Sequence, residues 1–137
     1  MAFMLHDQGE QWLLQVAFSE EQAVPANFYV GLCSDSLAET DGLADILNEP
    51  SGHGYSRALV PSDSTHCVVT QDGDYYKVTF AQATYIGNGG SFGPVNTWFV
   101  GTTANNTGKL LFSGPVDPAQ TISDGGTFGL TVYVRVK

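Results

Sequence analysis

From Thr127 to Lys137 apolar and polar side chains alternate. Phe128, Leu130, Val132, Val134 and Val136 fall on one side, and Thr127, Thr131, Tyr133 and Arg135 on the other. Successive side chains along a strand point to opposite faces, so this is the pattern of a strand with one buried and one wet face. A lone strand leaves its backbone N–H and C=O groups without partners. The rest of the chain therefore has to supply other strands and an apolar layer for this face to pack on. Val132, in the middle, is expected to be fully buried.

Other β-prone runs separated by turn signals meet that demand. Phe28, Val30 and Leu32 alternate with Tyr29, Gly31 and Cys33, the pattern of a half-buried strand. His66–Thr70 and Tyr75–Phe80 flank Asp72-Gly73-Asp74, a hairpin signal in which Tyr76, Val78 and Phe80 share a face. Val95–Val100 is apolar on both faces, as in a strand central to its sheet. Gly108–Gly114 reads as its hairpin partner, ending before Pro115 and Pro118. Ahead of the strands, Leu5–Phe18 spaces Leu5, Gln8, Trp12, Leu13, Val16 and Ala17 along one helical face, with Gly9 as a weak point. The expected fold is mainly β, a single-domain β-sandwich or jelly-roll-like fold with a short N-terminal α-helix. Residues 1–25 form the helical segment and its connection, and residues 26–137 the sandwich.

Composition narrows the chemistry. The chain has 137 residues, enough for one cored domain. Five Lys and Arg against fourteen Asp and Glu give a net charge of −9, and the cations Arg57, Lys77, Lys109, Arg135 and Lys137 are scattered in sequence. Direct nucleic-acid binding, which needs a basic footprint, is not expected. No apolar run reaches the ~20 residues of a membrane-spanning helix, and Met1–Leu5 lacks a signal-peptide pattern. Folding in a cytosol is the expectation. Cys33 and Cys67 read as buried thiols.

No metal or cofactor is expected. Asp35, Glu39, Asp41 and Asp45 lack calcium-loop spacing, and Asp72 and Asp74 are turn chemistry. Gly87-Asn88-Gly89-Gly90 lacks the Lys-Ser/Thr and helix of a phosphate loop, and reads as a flexible loop. With no nucleophile–base pattern the chain is read as no enzyme.

Glu49-Pro50-Ser51-Gly52-His53-Gly54 is a rigid turn into Tyr55-Ser56-Arg57-Ala58-Leu59-Val60, since Pro50 fixes its φ and Gly52 and Gly54 accept positive φ. Together with Ala26-Asn27-Phe28-Tyr29-Val30-Gly31-Leu32, the Trp98 strand, Gly108-Lys109-Leu110-Leu111-Phe112 and the Asp124-Gly125 turn, it resembles a family of small β-rich virion structural proteins of tailed bacteriophages. The stretch Glu39–Leu47 is longer and more acidic than that resemblance leads one to expect. The resemblance implies a virion protein, foremost a capsid decoration or cement protein. It would contact the major capsid protein or other virion proteins as a homo-oligomer. A tail-fibre or tail-tip component is the alternative. A further one is a carbohydrate-binding module that stacks sugars on Trp98, Tyr85 or Tyr133. Partner contact is assigned to Trp12, Leu13 and Val16 on the helix and to Tyr29 and Tyr55 near strand ends, each of them also a candidate for ordinary core packing.

Overall fold

In a computed structural model that describes residues 3–136, the protein is mainly β with a short N-terminal helix. The strands are β1 (Met4–Leu5), β2 (Asn27–Cys33), β3 (Ala58–Pro61), β4 (Cys67–Asp72), β5 (Tyr75–Phe80), β6 (Ala83–Ile86), β7 (Phe92–Gly101), β8 (Leu110–Ile122), β9 (Thr127–Leu130) and β10 (Tyr133–Val136). Helix α1 (Asp7–Leu14) runs on into a wider π-type turn over Gln15–Ser19. One layer is an antiparallel five-stranded sheet in the order β1-β8-β7-β2-β3. A three-stranded sheet, β10-β5-β4, and a two-stranded one, β6-β9, supply the strands of the facing layer.

The main core lies between these layers. From the large sheet come Val30, Leu32, Val60, Trp98, Val100 and Phe112, and from the facing elements Phe80, Ala83, Tyr85, Val132, Val134 and Trp12. A chain of edge-to-face and tilted rings, Trp12–Phe28–Phe80–Phe112–Trp98, ties helix to sheet with centroids 5.6 to 6.0 Å apart. Such spacing suits the ring quadrupoles as well as apolar burial. As its two apolar faces require, β7 is central in its sheet.

The final strand departs from its pattern. It is two strands, because β9 pairs with β6 and β10 with β5. Between the pairs Tyr133↔Thr79 and Leu130↔Ala83 lie two residues, Thr131 and Val132, on one side and three, Phe80 to Gln82, on the other. One extra residue makes a bulge that bends the ribbon. Val132 is buried and Thr131 exposed at this bend, while Val136 at the end is 57% exposed. Alternation was therefore right about Val132 and wrong about a continuous strand.

Other departures have local causes. The far face of β2 is also buried: Cys33 and Phe99 join Leu43, Ile46 and Leu110 in a second apolar cluster beneath the acidic loop. That loop folds back through a 3-10 turn over Leu43–Asp45, so β2 is covered on both sides instead of half-buried. Gly31 permits this, since a Cβ there would lie 2.1 Å from the Phe99 ring. Strand β8 continues through Pro115 and Pro118. Its register with β7 slips between Thr97↔Pro115 and Val95↔Gln120, so Pro118 lies in a bulge, where a missing N–H costs no ladder bond. Gly87–Gly90 is held on two sides: Asn88 N–H donates to His53 O, Gly87 N–H to Gly126 O, and Gly89 N–H to Asp124 Oδ1. It is a tied corner, unlike the flexible loop read from its glycines.

Candidate interaction surfaces

The turn that carried the family resemblance is a structural bolt. Gly52, His53 and Gly54 all have positive φ, which aims Tyr55 and Arg57 back at Glu49. The Arg57 guanidinium grips the Glu49 carboxylate through Nε at 2.9 Å and Nη2 at 2.8 Å. Nη1 donates to the Thr103 and Asn105 carbonyls, and Nη2 also to Asn106 Oδ1. The same carboxylate accepts from the Tyr55 hydroxyl at 2.6 Å, which in turn accepts from Leu32 N–H. Burial, then the Glu49 charge, push the Tyr55 hydroxyl well above its ordinary pKa. One ion pair thereby fixes the turn, β2 and the β7–β8 loop, with Arg57 also stacked on Phe99 at 5.0 Å. A fully satisfied buried pair of this kind serves architecture, with no donor left over for a ligand.

The acidic loop is likewise internal chemistry. Asp35 accepts from the backbone N–H groups of Leu47 and Asn48, Asp41 from Ala38 N–H, and Asp45 from Gly42 N–H. For Asp35, partial burial is outweighed by these N–H groups, which hold its pKa below the usual value. Asp7, Glu10 and Glu39 bring carboxylate oxygens within 4.8 Å of one another at the surface, an arrangement common without any ion.

The N-terminal segment is built into the fold. β1 extends the large sheet, and His6 is fully buried with Nε2 2.8 Å from Ser113 Oγ and Nδ1 3.3 Å from Glu39 O. Gly9 lies so close to β8 that a Cβ would sit 2.2 Å from the Leu111 carbonyl oxygen. What looks like a helical weak point is thus the contact that lets α1 pack down. Of the residues assigned to partner contact, Trp12 is in the core, Val16 packs against it, Tyr29 is half-buried, and Tyr55 belongs to the bolt. Leu13 is 45% exposed. It borders an apolar groove of about 250 Å³ between α1 and the inner face of β10-β5-β4, lined also by Val69, Tyr76, Val134 and Val136. The most exposed apolar side chains of this segment are ones the periodicity did not single out, Leu14 and Phe18. Among the sugar-stacking candidates, Trp98 and Tyr85 are buried, and Tyr85 donates its hydroxyl to Val30 O. Tyr133 alone of the three keeps a surface position.

Free cysteines complete the account: Cys33 is buried, its thiol pushed by burial up to about 12, whereas Cys67 is only half-buried. No helix among the described residues is long and apolar enough to cross a membrane.

The family model described as podophage GP4 fiber I protein gp80 matches residues 5–133. The chain belongs to this family. The match runs from β1 to the first residue of β10, and so takes in the helix, the bolt and both layers of the sandwich. Membership makes the chain a member of a phage structural-protein family. No curated protein matches the chain.

Proposed function

We propose that the protein is a non-enzymatic component of a phage tail fibre. The observation that carries this reading is the match to a fibre family over residues 5–133. It favours the fibre over capsid decoration, for which no contact or surface of the molecule speaks separately. The geometry agrees with a structural role. Its most elaborate polar network, around Glu49 and Arg57, is saturated internally.

In this reading the protein assembles with copies of itself or with other virion proteins. The exposed Leu14 and Phe18 make the outer side of α1 and of the turn that follows it the candidate for attachment, in place of the buried Trp12. Such contacts gain from multivalency, because a weak interface repeated within one particle raises the effective concentration of the next. Immunogold labelling of purified virions, with copy number measured by quantitative mass spectrometry, tests the assignment. Label at the tail with few copies per particle is expected. Label spread over the head in capsid-like abundance would return the protein to the decoration class.

A further inference from the structure

Two of the few cations are opposed on one sheet. Arg135 on β10 and Lys77 on β5 are direct cross-strand partners. Like charges in that position repel, and a chain with five cations among fourteen acids has little need to place two of them together. The same outward face carries Tyr133 and Tyr75. The Arg135 guanidinium lies 4.9 Å from the Tyr75 ring centroid and 5.9 Å from that of Tyr133, and Lys77 Nζ lies 5.5 Å over Tyr133. Asp72 is the one carboxylate beside them among the described residues, 3.9 Å from each, beyond hydrogen-bond reach. Arg135 Nε is buried without a hydrogen-bond partner. Arg57 shows what saturation looks like in this chain, with every nitrogen of its guanidinium engaged. Arg135 instead lies over two aromatic rings with its Nε unspent.

We propose that the outer face of the β10-β5-β4 sheet binds an acidic polysaccharide, its carboxylate or phosphate groups taken by Arg135 and Lys77 and its sugar rings laid against Tyr133 and Tyr75. A stacked guanidinium presents a planar fork of donors suited to a carboxylate or phosphate. Tyrosine offers apolar ring surface to the C–H faces of a sugar and a hydroxyl to its edge. An open sheet face admits an extended polymer. Elsewhere the acidic surface repels a polyanion, which confines binding to this face. The inference rests on the reading of the protein as a fibre component, yet it is tested apart from it.

The purified full chain is titrated calorimetrically with oligogalacturonate, with a phosphorylated mannan and with neutral maltoheptaose, and its mass is followed by sedimentation. Binding to at least one acidic polymer and none to maltoheptaose is expected. The affinity should fall on the order of tenfold or more between about 50 and 500 mM NaCl, as screening demands. Arg135→Gln and Lys77→Gln should each weaken it on a comparable scale, and Tyr133→Ala should weaken it with the salt dependence retained. Thermal melts identify any variant that has lost its fold, and Arg135→Lys, which keeps the charge but not the fork, should bind at an intermediate level. Which acidic probe binds tells carboxylate from phosphate recognition. No binding to either acidic polymer, or binding indifferent to both charge-removing substitutions, overturns the proposal. Salt-sensitive self-association that Arg135→Gln abolishes would assign the face to a second copy of the chain and overturn it too. A negative titration alongside tail labelling of virions would sink this site and leave the fibre reading standing.

Discussion

At the scale of single residues, the molecule keeps its charges where their absence would be felt. The Arg57 side chain is 4% exposed and that of its partner Glu49 21%. Removing one member of a buried pair strands the other without solvation. Arg57→Met, close in volume and uncharged, should therefore cost about 3–5 kcal/mol, read from urea unfolding midpoints. His6 makes the opposite case, a buried group kept neutral. Burial lowers its pKa below the ordinary value, against the opposing pull of the Glu39 and Ala38 carbonyls and the Asp41 and Asp7 charges. Its folded pKa is thus lower than its unfolded one, near ~6.5, so the unfolded chain takes up the proton first as pH falls. The stability that neutral His6 contributes is whole above that value and is lost on acidification toward the folded pKa. Melting temperature should decline from pH 7 to 5, a range above the carboxylate titrations, and the decline should be shallower in His6→Asn.

Elements meet through positions that have no side chain. In an exposed helix, replacing Gly by Ala stabilises by about 1 kcal/mol. At Gly9 the sign should reverse, because the new methyl would lie 2.2 Å from the carbonyl oxygen of Leu111 in β8 and the helix would have to lift off the sheet. Gly9→Ala is expected to lower the melting temperature, while Gln11→Ala on the exposed side of the same helix should leave it nearly unchanged. A stabilised Gly9→Ala protein would mean that α1 is not seated as described. β5-β6 and β9-β10 rely on a different device. One extra residue between paired stretches turns a single ribbon into parts of two sheets, and places Val132 at the bend with its carbonyl accepting from Phe80 N–H.

For the whole molecule, the question is whether the first eighteen residues are an attachment arm or part of the fold. They supply a strand of the large sheet, the buried His6 and the core Trp12. Deleting them should abolish cooperative unfolding, as followed by circular dichroism, and so cannot by itself test attachment. The outer face of α1 can be altered more gently. Leu14→Ser with Phe18→Ser changes side chains that are 60% and 81% exposed, so the melt should shift little while incorporation into virions falls if this face attaches the protein. A truncated chain that still unfolded cooperatively would separate the segment from the core.

Much of this architecture was legible along the chain, because it follows from local chemistry. Period-two alternation located β2, β5 and the burial of Val132, two-sided apolarity made β7 central, and Pro and Gly marked the Glu49–Gly54 turn. Short β1 and β6 carry too few residues for a period to show. The bulge at Val132 depends on how many residues the opposing strand inserts, which no single stretch records. Exposure on α1 and the turn after it stayed open along the chain because helical spacing gives a face but not its neighbour, and only the approach of β8 to Gly9 decides that Trp12 points in and Phe18 out. The same holds for the candidate sites. Lys77 and Arg135 stand fifty-eight positions apart (135 − 77 = 58), two among scattered cations, and become a pair through strand register alone. Residue types and their spacing thus determined a β-rich fold with its turns and one helix, whereas pairing between distant strands decided which side chains face each other, because contact depends on register and layer packing rather than order in the chain.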